Sequence, residues 1–81
     1  MIVRVRLFAR AKDLAGTDTV SVELAPNAIV ADLRRQLAER IPSLAPLLQR
    51  SALAVNQEFA RDDQPLTDDA EVALLPPVSG G

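Results

Sequence analysis

The sequence contains no cysteine and no histidine among its 81 residues. The absence of cysteine excludes a disulfide scaffold, a thiolate nucleophile and a zinc–thiolate site. The absence of histidine removes the most common metal ligand and the most common general base at neutral pH. We therefore expect no metal site and no catalytic site built from the side chains of this chain.

Aromatic residues are scarce, and a surplus of basic residues and long apolar runs are missing. The two aromatic residues are Phe8 and Phe59, so the core must be built from aliphatic side chains. The net charge is −2, which argues against nucleic acid as a partner, because nucleic acid favours a basic protein face. No apolar run approaches the roughly 18 residues of a membrane span, and the first residues resemble a strand rather than a signal peptide. We expect a cytoplasmic protein that does not bind membranes.

The spacing of the apolar residues predicts two strands followed by a helix. In residues 2–9, apolar positions alternate with Arg4, Arg6 and Phe8, and a second alternation follows in residues 19–24. Such alternation is typical of β-strands, and the two strands are close enough to form a hairpin with residues 10–18 as its connection. From Val30 the apolar spacing changes to three and four residues, which predicts an amphipathic helix that Pro42 ends.

Shorter apolar segments follow the helix and are predicted to be strands at 52–55, 58–60 and 71–75. A hairpin, a crossover helix and returning strands form a mixed sheet with one main helix packed on one face. This is an α+β fold of the β-grasp type, in which we expect the first and last strands to be neighbours at the centre. Residues 1–81 are predicted to form a single domain, with 76–81 as an extended C-terminal tail.

The tail is the part of the chain most suggestive of a function. Two prolines directly follow a predicted strand, and because proline has no backbone N–H they cannot extend a sheet ladder. Six extended residues reach roughly 20 Å, and glycine, which has no Cβ, can enter a narrow channel. A Gly-Gly ending alone is also typical of a frayed terminus, but the prolines favour an arm that presents a terminal carboxylate to another protein's active site. The tail residues are Pro76, Pro77, Val78, Ser79, Gly80 and Gly81.

This ending resembles the ubiquitin-like sulfur-carrier family, and within it the small subunits of molybdopterin synthase. The most specific matches are Ala54-Val55-Asn56 and residues 71–81. The resemblance implies a ubiquitin-like β-grasp fold and a sulfur carrier that acts through Gly81. It implies that an activating enzyme adenylates the Gly81 carboxylate with ATP and that a sulfur donor converts it to a thiocarboxylate. The large synthase subunit then receives the tail, and the sulfur is donated to a pterin precursor in molybdenum-cofactor biosynthesis. In this interpretation the chain is a non-catalytic subunit that binds no cofactor itself.

Two other functions remain open. A sulfur carrier for thiamine, cysteine or another product would use the same chemistry in a different pathway. A ubiquitin-like protein modifier or interaction module would form an isopeptide bond through the same tail or leave the tail unused.

Two positions depart from the pattern of this family. Asp69 stands where the family usually has glycine, so a turn with positive φ at this position would carry some strain. Ile29 stands where related proteins often have threonine, and isoleucine cannot accept a capping hydrogen bond. If the helix begins at Val30, Ile29→Thr is predicted to stabilise the fold by about 0.5–2 kcal/mol, less the apolar contact that is lost.

The parity of the strands also predicts a docking surface. Phe8 falls on the face opposite the core together with Arg4 and Arg6, Leu75 is turned the same way, and Phe59 lies on a short exposed strand. We predict that Phe8, Phe59 and Leu75 form a patch that docks the large subunit and the activating enzyme. The two arginines on this face fit either an acidic partner or the ordinary role of keeping an exposed sheet soluble.

The remaining charged residues are expected to be solvated. Asp62-Asp63 and Asp68-Asp69-Glu71 cluster carboxylates in polar turns, but their spacing matches no cation-binding loop. Arg34 and Arg35 are predicted to lie on the solvated surface of the helix.

Overall fold

The computed structural model describes residues 1–77. Within this range, five strands form one sheet and three α-helices accompany it. The strands are β1 (Ile2–Leu7), β2 (Thr19–Glu23), β3 (Ala52–Val55), β4 (Glu58–Phe59) and β5 (Glu71–Leu75). The helices are α1 (Ala9–Ala15), α2 (Val30–Arg40) and α3 (Ala45–Leu48), with a 3-10 turn at Pro42–Leu44.

The sheet is mixed, with the strand order β2-β1-β5-β3-β4. β1 is antiparallel to β2 and parallel to β5, and β3 is antiparallel to both β5 and β4. The first and last strands are therefore neighbours, as predicted, and β5 is the central strand. With α2 between the β1-β2 hairpin and the returning strands, this is the predicted β-grasp arrangement.

The core lies between one face of the sheet and α2. Alternate residues of β1 are at most 1% exposed, which confirms the predicted parity of this strand; they are Val3, Val5 and Leu7. The residues of α2 at spacings of three and four are also buried; they are Val30, Leu33 and Leu37. All six belong to one cluster of aliphatic side chains, as a sequence with only two aromatic residues requires.

Helix α1 occupies most of residues 10–18, so the prediction that they form only a connection of the hairpin is incomplete. The helix buries Ala11, and Leu14 packs partly buried against the core. It ends at Gly16, whose φ of 75° is in the left-handed region that favours glycine. The N–H of Gly16 donates to the carbonyl of Lys12 at 2.9 Å. A helix of 7 residues is too short to show a repeated apolar stripe, and the sequence pattern therefore did not reveal it.

Several non-glycine residues adopt positive φ. Asp69 has a φ of 66°, which confirms that the turn before β5 takes the conformation for which the family usually has glycine. Asn56 and Gln57 have φ values of 51° and 72°, and they are the central residues of the two-residue turn between β3 and β4, where hairpins favour positive φ at both positions. Ala9, with a φ of 51°, lies where the chain turns from β1 into α1.

Arg34 connects α2 to the segment that follows α3, and the prediction that it lies on solvated helix surface is wrong. Its side chain is only 22% exposed. Nη1 donates to the carbonyl oxygens of Leu48 and Ser51, and Nη2 lies 3.2 Å from the carboxylate of Asp62. Arg35, in contrast, is exposed and pairs with an aspartate one turn earlier. The guanidinium of Arg34 therefore connects α2 to the segment 48–51 and to the loop that contains Asp62.

Candidate functional site

The predicted tail leaves the sheet from its central strand. β5 ends at Leu75, and Pro76 and Pro77 follow it outside the sheet. Because neither proline has an N–H to donate, the ladder cannot continue past Leu75. The other predicted tail residues, including the proposed reactive residue Gly81, lie outside the described residues; they are Val78, Ser79, Gly80 and Gly81. The described part of the candidate site is therefore the root of the tail and the surface around it.

Both aromatic side chains are exposed, as strand parity predicts for Phe8 and the short exposed strand predicts for Phe59. Phe8 is 40% exposed and Phe59 is 77% exposed, whereas Leu75 is half-buried. Phe8 lies just beyond β1 rather than within it, but its backbone is extended, with φ −128° and ψ 155°. The alternation of β1 therefore continues through Phe8, and its side chain follows the outer face.

The strand register brings Phe8 and Leu75 to the same end of the sheet. Leu7 pairs with Leu74 across the parallel β1-β5 ladder, so the next residue of each strand, Phe8 and Leu75, follows on the opposite face. On the other side of β5, Leu75 pairs with Ala52. Phe8, Leu75 and the root of the tail are thus placed together, which is what a docking surface beside a delivered tail requires.

Phe59 lies on the same face but not beside Phe8. It pairs with Ala54 of β3, and Ala54 pairs with Ala73 of β5. Neighbouring strands are about 4.8 Å apart, so the two aromatic residues are separated by roughly 14 Å across the sheet and by about 7 Å along the strands. Alanines lie between the two aromatic residues. The alternation of strand residues places them on this face, although the sequence alone did not single them out. We call this outer surface the apolar face; it consists of Phe8, Ala52, Ala54, Phe59, Ala73 and Leu75.

Two arginines of β1 border the apolar face. Arg4 pairs with Glu71 across the β1-β5 ladder, so a carboxylate stands opposite its charge. Arg6 pairs with Thr19 on one side and Ala73 on the other, and neither carries a charge. The central carbon of its guanidinium lies 5.8 Å from the centre of the Phe8 ring, within the range of a cation–π contact.

Two of the clustered carboxylates pair with arginines at the surface. Asp62 pairs with Arg34 at 3.2 Å, and Asp63 pairs with Arg61 at 2.9 Å. The hydrogen bond from Arg61 lowers the pKa of the Asp63 carboxyl below its usual value. Within residues 1–77, no group of three or more acidic, histidine or cysteine side chains is arranged to hold a metal ion. In the same range, every helix is too short or too polar to cross a bilayer.

The sheet order, the single main helix and a C-terminal segment that leaves the central strand define a ubiquitin-like β-grasp protein. A solved ubiquitin from Caldiarchaeum subterraneum has the same fold, with a TM-score of 0.68 at 18% identity over 100% of this chain and 98% of that chain. The model of the ThiS family matches residues 5–81. The chain belongs to the ThiS family.

Curated relatives match this chain along its whole length. A protein of Chlamydomonas reinhardtii is 36% identical, with 100% of each chain covered. A protein of Escherichia coli strain K12 is 40% identical, covering 99% of this chain and 100% of its own. Both are described as molybdopterin synthase sulfur carrier subunits.

Solved structures of similar size agree with this relationship. SAMP1 from Haloferax volcanii has a TM-score of 0.89 and is 29% identical, with 100% of each chain covered. A chain from the complex of subunits 1 and 2 of the molybdopterin-converting factor of Helicobacter pylori 26695 has a TM-score of 0.72 and is 29% identical, again with 100% of each chain covered.

Proposed function

We propose that this chain is the sulfur carrier subunit of molybdopterin synthase and that it works through the carboxylate of Gly81. Full-length relatives described by that name support the proposal. The observation that carries it is the placement of the tail, which leaves the central strand at Leu75, at the same end of the sheet as Phe8. A partner that covers the apolar face would therefore receive the tail at a fixed starting point.

The chemistry proposed for Gly81 requires other proteins. An activating enzyme would use ATP to adenylate the carboxylate, which makes it an acyl donor, and a sulfur donor would replace the adenylate to give the thiocarboxylate. The sulfur would then pass to a pterin precursor within the synthase. This chain has no histidine or cysteine to act as base or nucleophile near neutral pH. Its own contributions are binding and delivery, and ATP is bound by the activating enzyme.

The proposed partners are the large synthase subunit and the activating enzyme. The relative from Helicobacter pylori was solved as a protein–protein complex of subunits 1 and 2, which supports a large-subunit partner for this chain. The two exposed aromatic residues and Leu75 would supply the apolar contact with each partner. A cytoplasmic location is part of the proposal, because the proposed activation step consumes ATP.

Mass spectrometry of the chain isolated from its native cells tests the carrier chemistry. We expect a fraction of the chain with one oxygen replaced by sulfur, and no such fraction in a variant that lacks Gly81. Deletion of Gly81 should abolish cofactor synthesis while the thermal melt stays unchanged, because the residue lies beyond the last strand. Normal cofactor synthesis by the deletion variant would refute the proposal.

Phe8→Asp tests the docking surface in a separate measurement. The substitution should weaken binding of the large subunit by several kcal/mol, as the loss of a central interface residue can. Phe8 is 40% exposed, so it is more covered than an ordinary surface residue. We therefore expect a stability loss of about 1–2 kcal/mol, since full burial of a phenylalanine contributes about 1.5–3 kcal/mol. Unaltered binding by a folded variant would place the docking surface elsewhere.

A protein modifier is the second candidate. The observation that favours it is the likeness to SAMP1 at a TM-score of 0.89 and 29% identity, because a related structure from the same organism is described as small archaeal modifier protein 1. A conjugate between Gly81 and a lysine of another protein would identify this function in the same mass spectra. A sulfur carrier for a different product, such as thiamine, would show the thiocarboxylate but would not capture a large synthase subunit.

A further inference from the structure

Arg6 holds an unusual position at the border of the apolar face. It lies on the outer side of β1, between Thr19 and Ala73 in the register. The central carbon of its guanidinium is 5.8 Å from the centre of the Phe8 ring, so the cation lies over the more central of the two aromatic residues of the face. Across the described part of the chain, Arg6 takes part in no ion pair.

Neither Arg4 nor Arg6 forms an ion pair within the described residues, but a carboxylate faces Arg4 in the register and none faces Arg6. Arg4, two residues earlier on the same face, pairs in the register with Glu71. Arg6 therefore places a positive charge beside Phe8, with no acidic residue opposite it in the register. Contact with the ring restricts the guanidinium, so less conformational entropy is lost when its free N–H groups bind an acceptor.

We propose that the surface which covers the apolar face presents an aspartate or glutamate carboxylate to Arg6. This inference rests on the proposed function and identifies the partner surface as that of the large synthase subunit, with an apolar centre and an acidic border. A carboxylate is the acceptor that matches the planar fork of arginine, because two parallel N–H donors can bind its two oxygens. A charge pair at the border of an interface acts mainly on the association rate and on the choice of partner.

Two matched variants test the proposal. Arg6→Gln and Arg4→Gln each remove one positive charge from the same face of the same strand, so a general effect of net charge is equal in both. Binding to the large subunit from the same organism would be measured as association and dissociation rates at about 50 mM and about 500 mM salt, where charges are weakly and strongly screened. Thermal melts of both variants would verify that the fold is retained.

We expect Arg6→Gln to weaken binding by about threefold to tenfold at low salt, mainly through slower association, and by much less at high salt. Arg4→Gln should change the affinity by less than about twofold, because Arg4 lies two residues farther from Phe8 along the strand and faces Glu71 in the register. Arg6→Lys, which keeps the charge but loses the fork, should lie between the wild-type chain and Arg6→Gln.

Four results would overturn the inference. Equal losses for the two glutamine variants would show an effect of net charge alone. A loss for Arg6→Gln that persists at high salt would show that Arg6 acts by packing on Phe8. If Phe8→Asp abolishes binding while both glutamine variants bind normally, the docking surface stands and the acidic border is wrong. A wild-type chain that fails to bind the large subunit would overturn the proposed function, and this inference with it.

Discussion

Replacing Ile29 by threonine tests how the start of α2 is stabilised. The sequence predicts a gain, because threonine can accept a capping hydrogen bond and isoleucine cannot. The structure confirms that the helix begins at Val30 but shows that the backbone donors at this end already have acceptors. The N–H of Ile29 donates to Asp32 Oδ2 at 2.9 Å. The N–H groups of Val30 and Ala31 donate to the carbonyls of Gln64 and Asp62, at 3.0 Å and 2.9 Å. The N–H of Asp32 donates to the Ile29 carbonyl at 3.0 Å.

A threonine hydroxyl at position 29 would therefore compete with acceptors that are already in place. The gain of about 0.5–2 kcal/mol that a new cap brings to an open helix end is not available here. The substitution also removes apolar surface from a half-buried residue that bridges Pro65. At about 0.8 kcal/mol for each fully buried methylene, we expect a net loss of about 0.5–1 kcal/mol, the opposite sign to the prediction from the sequence.

Urea denaturation of Ile29→Thr and Ile29→Val measures the two contributions separately. Valine has nearly the shape of threonine but no hydroxyl, so the difference between the variants isolates the capping bond. We expect both free energies of unfolding to be lower than that of the wild-type chain, with unchanged m-values, and threonine to be no more stable than valine. A threonine variant more stable than the valine variant by about 1 kcal/mol would show that the hydroxyl caps the helix. It would refute the argument that the N–H groups at this helix end already have sufficient acceptors.

Three further substitutions have expected outcomes. Asp69→Gly should raise the free energy of unfolding by up to about 1 kcal/mol, because glycine adopts the φ of 66° without a Cβ clash; a lower denaturation midpoint would contradict this. Arg34→Ala should lower it by about 2–3 kcal/mol, because the carbonyls of Leu48 and Ser51 lose a charged donor, and Arg34→Lys should rescue this only in part. The pKa of the Asp32 carboxyl is lowered chiefly by the hydrogen bond from the Ile29 N–H and further by Arg35. A lowered folded-state pKa stabilises the fold above the unfolded value of about 4 and ceases to do so as the pH falls through the folded value. Asp32→Asn should therefore be less stable than the wild-type chain at pH 7, with a difference that shrinks below about pH 4 in unfolding curves.

The spacing of apolar residues was sufficient to predict the strands and the helix in which that spacing is regular. The alternation in β1 placed Phe8 on the outer face, and the change of spacing at Val30 located the start of α2. Helix α1 was missed because its burial rests on Ala11 and a partly buried Leu14, which is too little for a stripe. Its clearest signal was Gly16, which ends the helix in the left-handed conformation.

Contacts between distant segments could not be predicted from these patterns. Arg34 looks like an ordinary solvated helix residue, since its carbonyl partners at Leu48 and Ser51 lie 14 and 17 residues further along the chain. Two of the acceptors at the start of α2 are carbonyls of residues 62 and 64, in a loop whose path only the folded sheet determines. For the same reason, the sequence identified the two aromatic residues of the apolar face but not the alanines between them.

The parallel pairing of β1 and β5 explains why the proposed docking surface and the root of the tail lie at the same end of the molecule. Parallel strands end at the same edge of a sheet, so Phe8, which follows β1, stands beside Leu75 at the end of β5. Antiparallel pairing would have separated them by the length of a strand, about 17 Å for five residues. The long connection through α2 and the later strands makes the parallel arrangement possible. Because the tail can reach roughly 20 Å when extended, a partner that binds Phe8 must have its reaction centre within that distance of the Phe8-binding surface.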